Sequence, residues 1–251
     1  MSLKVNKDNI YVIVQNGRYE LSEKIGDFME GDFTIFIRAK IIREYLEIEK
    51  EVFLFSRNGK HSGLSVFLDK EDKLWVQCVY WLIDGNDQPI YMQIRQFIPK
   101  ESENSFNNYI ITCDDKLKKI YFYINGNKLD EIDYSNKKKE DYSNSFFWLG
   151  CGDMLVEDEK YNGVGNFEYD VFIGLNKCLD IRDIYKIGNN YKTKYLKIDT
   201  EYGLPILINE IPYKDNIKIF CDFDYKNIYK IWNMVDNGVF FQKYIKGNIF
   251  F

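Results

Sequence analysis

The chain has 251 residues, 17% aromatic and 29% charged, with a net charge of −5. Its 20 tyrosines and 19 phenylalanines stand beside a single alanine, Ala39, which excludes a coiled coil, a helical repeat and a disordered chain. No run of eighteen apolar residues is present to span a membrane, and an acidic chain lacks the clustered cations that a nucleic-acid binder needs.

Strand signals begin at Phe33, where Phe33, Ile35 and Ile37 alternate with Thr34 and Phe36. Val52 to Phe55 is a continuous apolar run, and Leu64 to Leu68 alternates again. From Leu74 to Ile83, Leu74, Val76, Cys78 and Tyr80 take one face and Trp75, Val79 and Trp81 the other. Ile90 to Phe97 alternates apolar and polar. Turn residues separate these runs at Asn58-Gly59, Asp69 to Asp72 and Asp84 to Asp87. Asn125-Gly126 marks a tight hairpin between Lys119–Ile124 and the strand that follows. Lys137-Lys138-Lys139, followed by two acids, reads as a solvated turn. Ser145 to Leu149 and Asn166 to Ile173 are two further strands. Asp180 caps one short helix carrying Ile181, Ile184, Tyr185 and Ile187, with Gly188 as its stop. Ile217 to Phe220 and Val239 to Tyr244 are strands of a proline-bearing tail.

Five cysteines lie at 78, 113, 151, 178 and 221, with no Cys-x-x-Cys pair and no Cys/His cluster. They read as free thiols of a reducing compartment rather than a zinc site. Met1 to Val14 carries no secretion signal, so the expected home is cytoplasmic. A chain excised from a longer protein would allow an extracellular one.

Arg18 to Gly188 resembles the laminin-G-like and pentraxin-like branch of the concanavalin A-like lectins and glucanases. Three pieces carry the resemblance. They are Gly17–Leu21 with Gly31–Ile37, then Leu117–Gly126, then Trp148-Leu149-Gly150 with Gly165–Ile173 and Leu179–Ile184. The resemblance implies an all-β, concanavalin A-like jelly-roll β-sandwich of two antiparallel sheets, with one short helix and a C-terminal extension. Residues 1–195 would form the sandwich and 196–251 the extension. In the tail, Ile219–Asp224, Tyr229–Asn233 and Asn237-Gly238 resemble a segment that accompanies such modules in bacterial surface and polysaccharide-synthesis proteins.

The resemblance also frames the chemistry. Glucanases of this superfamily place two carboxylates along one strand as Glu-x-Asp-x-x-Glu. Glu168 and Asp170 match the first two positions, but Ile173 stands in the third, so the acid is missing. His61 is the only histidine, and no nucleophile motif adjoins it. Asp222 and Asp224 form an Asp-x-Asp pair without the alternating strand–helix fold of a nucleotide-sugar transferase. Calcium is the implied cofactor, with Asp153 and Asp158 as ligands in an acidic loop. The loop Asn58–His61 would meet them on the same rim. Sugar recognition needs aromatic faces beside amides and carboxylates, and Trp81 with Asp84 and Asn86 offers that combination. The expected ligand-binding residues are therefore Trp81, Asp84, Asn86, Asn58 and His61.

A non-catalytic carbohydrate-recognition module of bacterial cell-surface glycans is the leading expectation. Its partner would be a carbohydrate or glycosylated surface, with no nucleic acid and no membrane span. An interaction domain of polysaccharide-synthesis machinery, with a partner domain or protein, is one alternative. A glycan-active enzyme is another.

Overall fold

A computed structural model describes residues 3–5, 10–15, 29–57, 62–139, 147–149, 167–190, 196–198, 205–207, 211–222, 230–232, 239–245 and 248–249. In chain order the strands begin with β1 (Leu3–Val5), β2 (Ile10–Gln15), β3 (Phe33–Ile41), β4 (Val52–Arg57), β5 (Ser62–Leu68), β6 (Leu74–Ile83) and β7 (Pro89–Phe97). Then come β8 (Phe106–Asp114), β9 (Lys119–Ile124), β10 (Asn127–Asp133), β11 (Lys138–Lys139), β12 (Phe147–Leu149) and β13 (Phe167–Leu175). Helix α1 (Ile181–Asn190) precedes β14 (Leu196–Ile198), β15 (Pro205–Leu207), β16 (Ile217–Asp222), β17 (Lys230–Trp232), β18 (Val239–Ile245) and β19 (Asn248–Ile249).

These elements make a jelly-roll β-sandwich of two antiparallel sheets, with one α-helix among the described residues. The first sheet runs β1-β13-β3-β8-β9-β10, and β16 shares the β1 edge of β13. The second runs β11-β6-β5-β4-β12-β2-β18-β17, with β7 on the outer edge of β6 and β19 on β18. The strands of the tail thus extend both layers: β16 pairs with β13, and β18 pairs with β2.

Alternation decides which side chains fill the space between the sheets. Phe33, Ile35 and Ile37 of β3 face Leu64 and Val66 of β5 and Leu74, Val76 and Tyr80 of β6 in one apolar cluster. The Tyr169 hydroxyl crosses this core to donate to the Leu54 carbonyl, so a large aromatic is buried without an orphaned polar tip.

β13 departs from simple alternation. Tyr169 pairs with Ala39 but Val171 pairs with Arg38, which makes Asp170 the extra residue of a bulge. Phe167 and Tyr169 therefore face the inner core. Beyond the bulge Phe172 faces inward, while Val171, Ile173 and Leu175 turn to the outer face. There they meet Ile184 and Ile187 of α1 and Ile217 and Phe220 around β16. The helix is capped as expected, with the Arg182 N–H donating to Asp180 Oδ1 at 2.8 Å. Gly188, expected as the stop, lies inside the helix. A Cβ there would overlap the Phe36 ring, 2.6 Å from Cε1, so the glycine lets the helix sit close on the sheet.

β8 has no counterpart among the sequence expectations. It is a central strand between β3 and β9, buried on both faces: Ile111 joins the inner core and Ile110 the layer under the helix. A strand covered on both sides has no reason to alternate. The β9–β10 hairpin forms as expected, with Asn125 and Gly126 at φ 50° and 86°.

Candidate functional site

The face of β6 that points away from the core carries Trp75, Gln77, Val79 and Trp81. The register sets Phe97, Arg95, Gln93 and Tyr91 of β7 opposite them in that order. On the other side of β6, Phe67, Ser65 and Gly63 of β5 stand opposite Trp75, Gln77 and Val79. This is a regular pattern, aromatic at both ends and polar or small between. Trp75 packs edge-to-face on Phe97 at 6.0 Å, and Trp81 on Tyr91 at 5.9 Å. The two tryptophans are six positions apart, about 20 Å at the rise of an extended strand.

A network of polar side chains lies between the two ends. Ser65 Oγ and Gln77 Nε2 both donate to Glu51 Oε1, at 2.6 and 2.8 Å. Arg95 Nε donates to Gln77 Oε1 at 2.9 Å, and its NH2 to Gln93 Oε1 at 3.0 Å. The guanidinium lies 5.3 Å from the centre of the Phe67 ring. Ser65 and Gln77 are buried and hold this network from below, whereas Arg95 and Gln93 are exposed and Tyr91 is 41% exposed. The surface therefore offers amide and guanidinium donors, a carboxylate acceptor and aromatic rings, all held on rigid strands.

Two turns of one design frame β6. At each, a three-residue loop ends in a left-handed residue, Asp72 or Asp87, and the aspartate just before the loop caps it. Asp69 Oδ1 accepts from the Glu71 and Lys73 N–H groups, and Oδ2 accepts from Trp75 Nε1 at 2.8 Å. Asp84 Oδ1 accepts from the Asn86 and Gln88 N–H groups, both at 2.8 Å. These backbone bonds, Gln88 first, hold the Asp84 carboxyl below its ordinary range. Asp84 thus shapes the turn beside Trp81, and Asn86 stands exposed at its tip.

Of the expected site residues, Trp81 lies on the outer face of β6, and Asp84 and Asn86 lie in the turn that follows it. Asn58, His61, Asp153 and Asp158 lie outside the described residues. Among the described residues no three His, Cys, Asp or Glu side chains gather to hold a metal. Trp75, Phe97, Tyr91, Arg95, Gln77 and Glu51 were not expected in the site. The signal was present: Trp75 and Trp81 share one parity of a strand whose other parity is wholly core.

Glu168 and Asp170 form cross-strand ion pairs with Lys40 and Arg38, at 3.6 and 3.5 Å. Each carboxylate thus has its own cation across the strand pair. Cys78, Cys113 and Cys178 are free thiols, and burial raises the Cys78 thiol to about 12.

A second polar cluster lies beyond the Trp81 end of β6, where β11 continues the sheet next to Leu82 and Ile83. Lys139 was expected in a solvated turn, but its side chain is only 8% exposed. Its ammonium donates to the carbonyls of Glu30 and Gly31 at 2.8 and 2.5 Å and pairs with Asp115 Oδ1 at 3.2 Å. The rings of Phe33 and Tyr134 lie 5.4 and 5.5 Å away. Asp115 also accepts from the Tyr134 hydroxyl at 2.7 Å and from Lys118 at 3.1 Å. Burial alone would raise the Asp115 carboxyl, but Tyr134 and the two lysines outweigh it and hold the carboxyl at about 2. A carboxyl lowered on folding stabilises the fold above its unfolded value of 3.8, and that contribution is lost as pH falls through about 2. Denaturant melts at descending pH should therefore show wild type more stable than Asp115→Asn near neutrality. The gap should narrow below pH 3.8 and close near pH 2; a gap independent of pH would contradict the ion-pair account.

No protein-family model and no curated protein sequence matches the chain. Solved structures do. A Bacteroides ovatus protein to which carbohydrate binding is ascribed superposes with a TM-score of 0.52 at 12% identity, over 96% of this chain and 58% of its own. The receptor-binding domain of a botulinum neurotoxin of mosaic serotype C/D gives 0.52 at 15% identity, over 82% of this chain and 45% of its own. A heptameric pentraxin from Limulus polyphemus gives 0.46 at 10% identity, over 73% and 80%. At these identities the likeness is one of fold. The chain spans about half the length of the botulinum and Bacteroides proteins. No helix among the described residues is long and apolar enough to cross a membrane.

Proposed function

We propose that the chain is a carbohydrate-recognition module whose binding surface is the outer face of β7, with exposed Tyr91, Gln93 and Arg95, and the half-buried Trp75 and Trp81 of β6 beside it. The observation that carries this reading is the pairing of Trp75 with Phe97 and of Trp81 with Tyr91 on either side of one hydrogen-bonded network, Glu51–Gln77–Arg95–Gln93. The C–H faces of pyranose rings pack on aromatic rings, and sugar hydroxyls need donors and acceptors held in place. The face supplies both without a large loss of side-chain entropy, because the rings are pinned by sheet register and the polar groups by one another. A row about 20 Å long suits an extended oligosaccharide better than a single sugar. The carbohydrate binding ascribed to the Bacteroides ovatus fold relative supports the same reading.

The test is a glycan array probed with the wild-type chain, followed by titration of any hit. Binding that is lost when Tyr91 and Trp81 are both truncated to alanine is the expected result. Binding to no glycan, or binding untouched by that double truncation, would remove the reading. A calcium ion at Asp153 and Asp158 is a separate proposal. It is checked by running the same titration with added calcium and with chelator.

A further inference from the structure

The lysine cluster adjoins the aromatic row. Lys138 stands opposite Ile83 and Lys139 opposite Leu82 in the pairing of β11 with β6. Ile83 has the outer parity of Trp81, so Lys138 is the diagonal neighbour of Trp81, about 7–8 Å away in an antiparallel pair. Lys139 has the inner parity, which explains why one lysine of the run is exposed and the next is buried.

Beside them is a pocket of about 420 Å³, within the size range of small-molecule sites. Lys118, Lys137, Lys138 and Lys139 line it together with Tyr134, Asp115 and Glu30. Four ammonium groups against two carboxylates make the pocket positive, on a chain whose net charge is −5. Asp115 is already engaged: Oδ1 takes Tyr134 and Lys139, and Oδ2 takes Lys118. Lys139 is fixed by its two carbonyls and two rings and forms a cationic floor. Lys138 is exposed and Lys137 half-buried.

We propose that this pocket holds the oxyanion of an acidic glycan, a carboxylate or a sulfate or phosphate ester, whose adjoining sugar lies on Trp81 and Tyr91. The proposal rests on the carbohydrate reading above and names the ligand class for its Trp81 end. Lysines act here as point charges on flexible stems, without the fork geometry of arginine, so the pocket suits any compact oxyanion. The aromatic row supplies contact area, and the lysines supply the selection of charged over neutral polymers.

The test titrates polygalacturonate, hyaluronate and dextran sulfate beside their carboxyl-reduced or desulfated counterparts, with inorganic sulfate as a separate arm. Wild type is compared with the double variant Lys137→Gln/Lys138→Gln. Lys139 is left intact because its burial makes it part of the fold, and a thermal melt confirms that the double variant is folded. The expected result is tighter binding of at least one acidic polymer than of its neutral counterpart. That preference should weaken steeply with salt and fall about tenfold in the double variant. Equal affinity for acidic and neutral polymers, unchanged in the variant, overturns the proposal and leaves the carbohydrate reading standing. If no polymer binds, the carbohydrate reading fails. Lysine-dependent binding of inorganic sulfate would then overturn the glycan as the source of the anion, and its absence would remove the anion site as well.

Discussion

Replacing Gly63 with alanine is expected to cost about 3 kcal/mol of stability, near the top of the range for overpacking a close-packed interior. Gly63 lies in β5, opposite Ser56 of β4 and Val79 of β6. The β4–β5 register shifts between Phe53 and Phe55, and this bulge pushes the Phe55 carbonyl toward Gly63. An added Cβ would overlap that oxygen and lie 2.9 Å from Ser56 Cα. Both neighbours are backbone in the middle of a sheet, so neither can swing away as a side chain would. Gly85 provides the contrast. It sits in the turn after β6, and nothing lies within 4 Å of the corresponding Cβ. Gly85→Ala should change stability by no more than about 0.5 kcal/mol. Denaturant unfolding of the two variants checks the pair. A Gly63→Ala protein as stable as wild type would show that the bulge is not where the structure puts it.

The second large effect concerns binding. Trp75→Ala and Trp81→Ala are each expected to weaken glycan affinity at least tenfold, about 1.4 kcal/mol, because buried aromatic anchors carry most of the energy of a recognition surface. Their effects should add, since about 20 Å of strand separates them and distant sites rarely couple. Gln93→Ala, at an exposed position between them, should cost less, because an exposed amide exchanges one hydrogen-bond partner for water. Trp75 carries a structural role as well: its indole N–H closes the Asp69 turn. A thermal melt must therefore accompany Trp75→Ala. Trp81→Ala is the cleaner variant, because its partner Tyr91 is an edge-strand residue 41% exposed. Loss of affinity confined to Trp75→Ala and matched by a lowered melting temperature would count against the face as a binding surface.

Much of the sandwich was legible from alternation. β3, β5, β6 and β7 fall where the period of two places them, and the Asn125-Gly126 turn is where its dipeptide says. The failures have physical causes. β8 was hidden because burial on both faces erases alternation. The inward face of β13 could be followed only as far as Asp170, since one extra residue exchanges the two faces and nothing in Phe167–Leu175 announces it. Gly188 looked like a helix stop because a glycine after a helical pattern usually is one. Only the position of Phe36, more than a hundred residues away in sequence, gives it another purpose. Lys139 looked solvated because two lysines precede it and two acids follow. Its burial depends on Asp115, Phe33 and Tyr134, which lie at or just past the ends of other strands.

The candidate site divides in the same way. Trp81, Asp84 and Asn86 are neighbours in sequence and were found as a group. Glu51, Gln77 and Arg95 come from separate strands and its lead-in segments, and only register aligns them. The sequence did carry the decisive half of the pattern, two tryptophans on the non-core parity of one strand. The other half, a facing row of Tyr91, Gln93, Arg95 and Phe97, required the pairing of β6 with β7.

The account is tested most directly by the indole N–H signals of the four tryptophans, Trp75, Trp81, Trp148 and Trp232. They are followed by nuclear magnetic resonance while a glycan identified on an array is titrated in. The account predicts saturable shifts of the Trp75 and Trp81 signals with a common affinity, and stationary signals from Trp148 and Trp232 in β12 and β17. Shifts confined to Trp148 or Trp232 would place the sugar elsewhere on the sandwich and contradict the account.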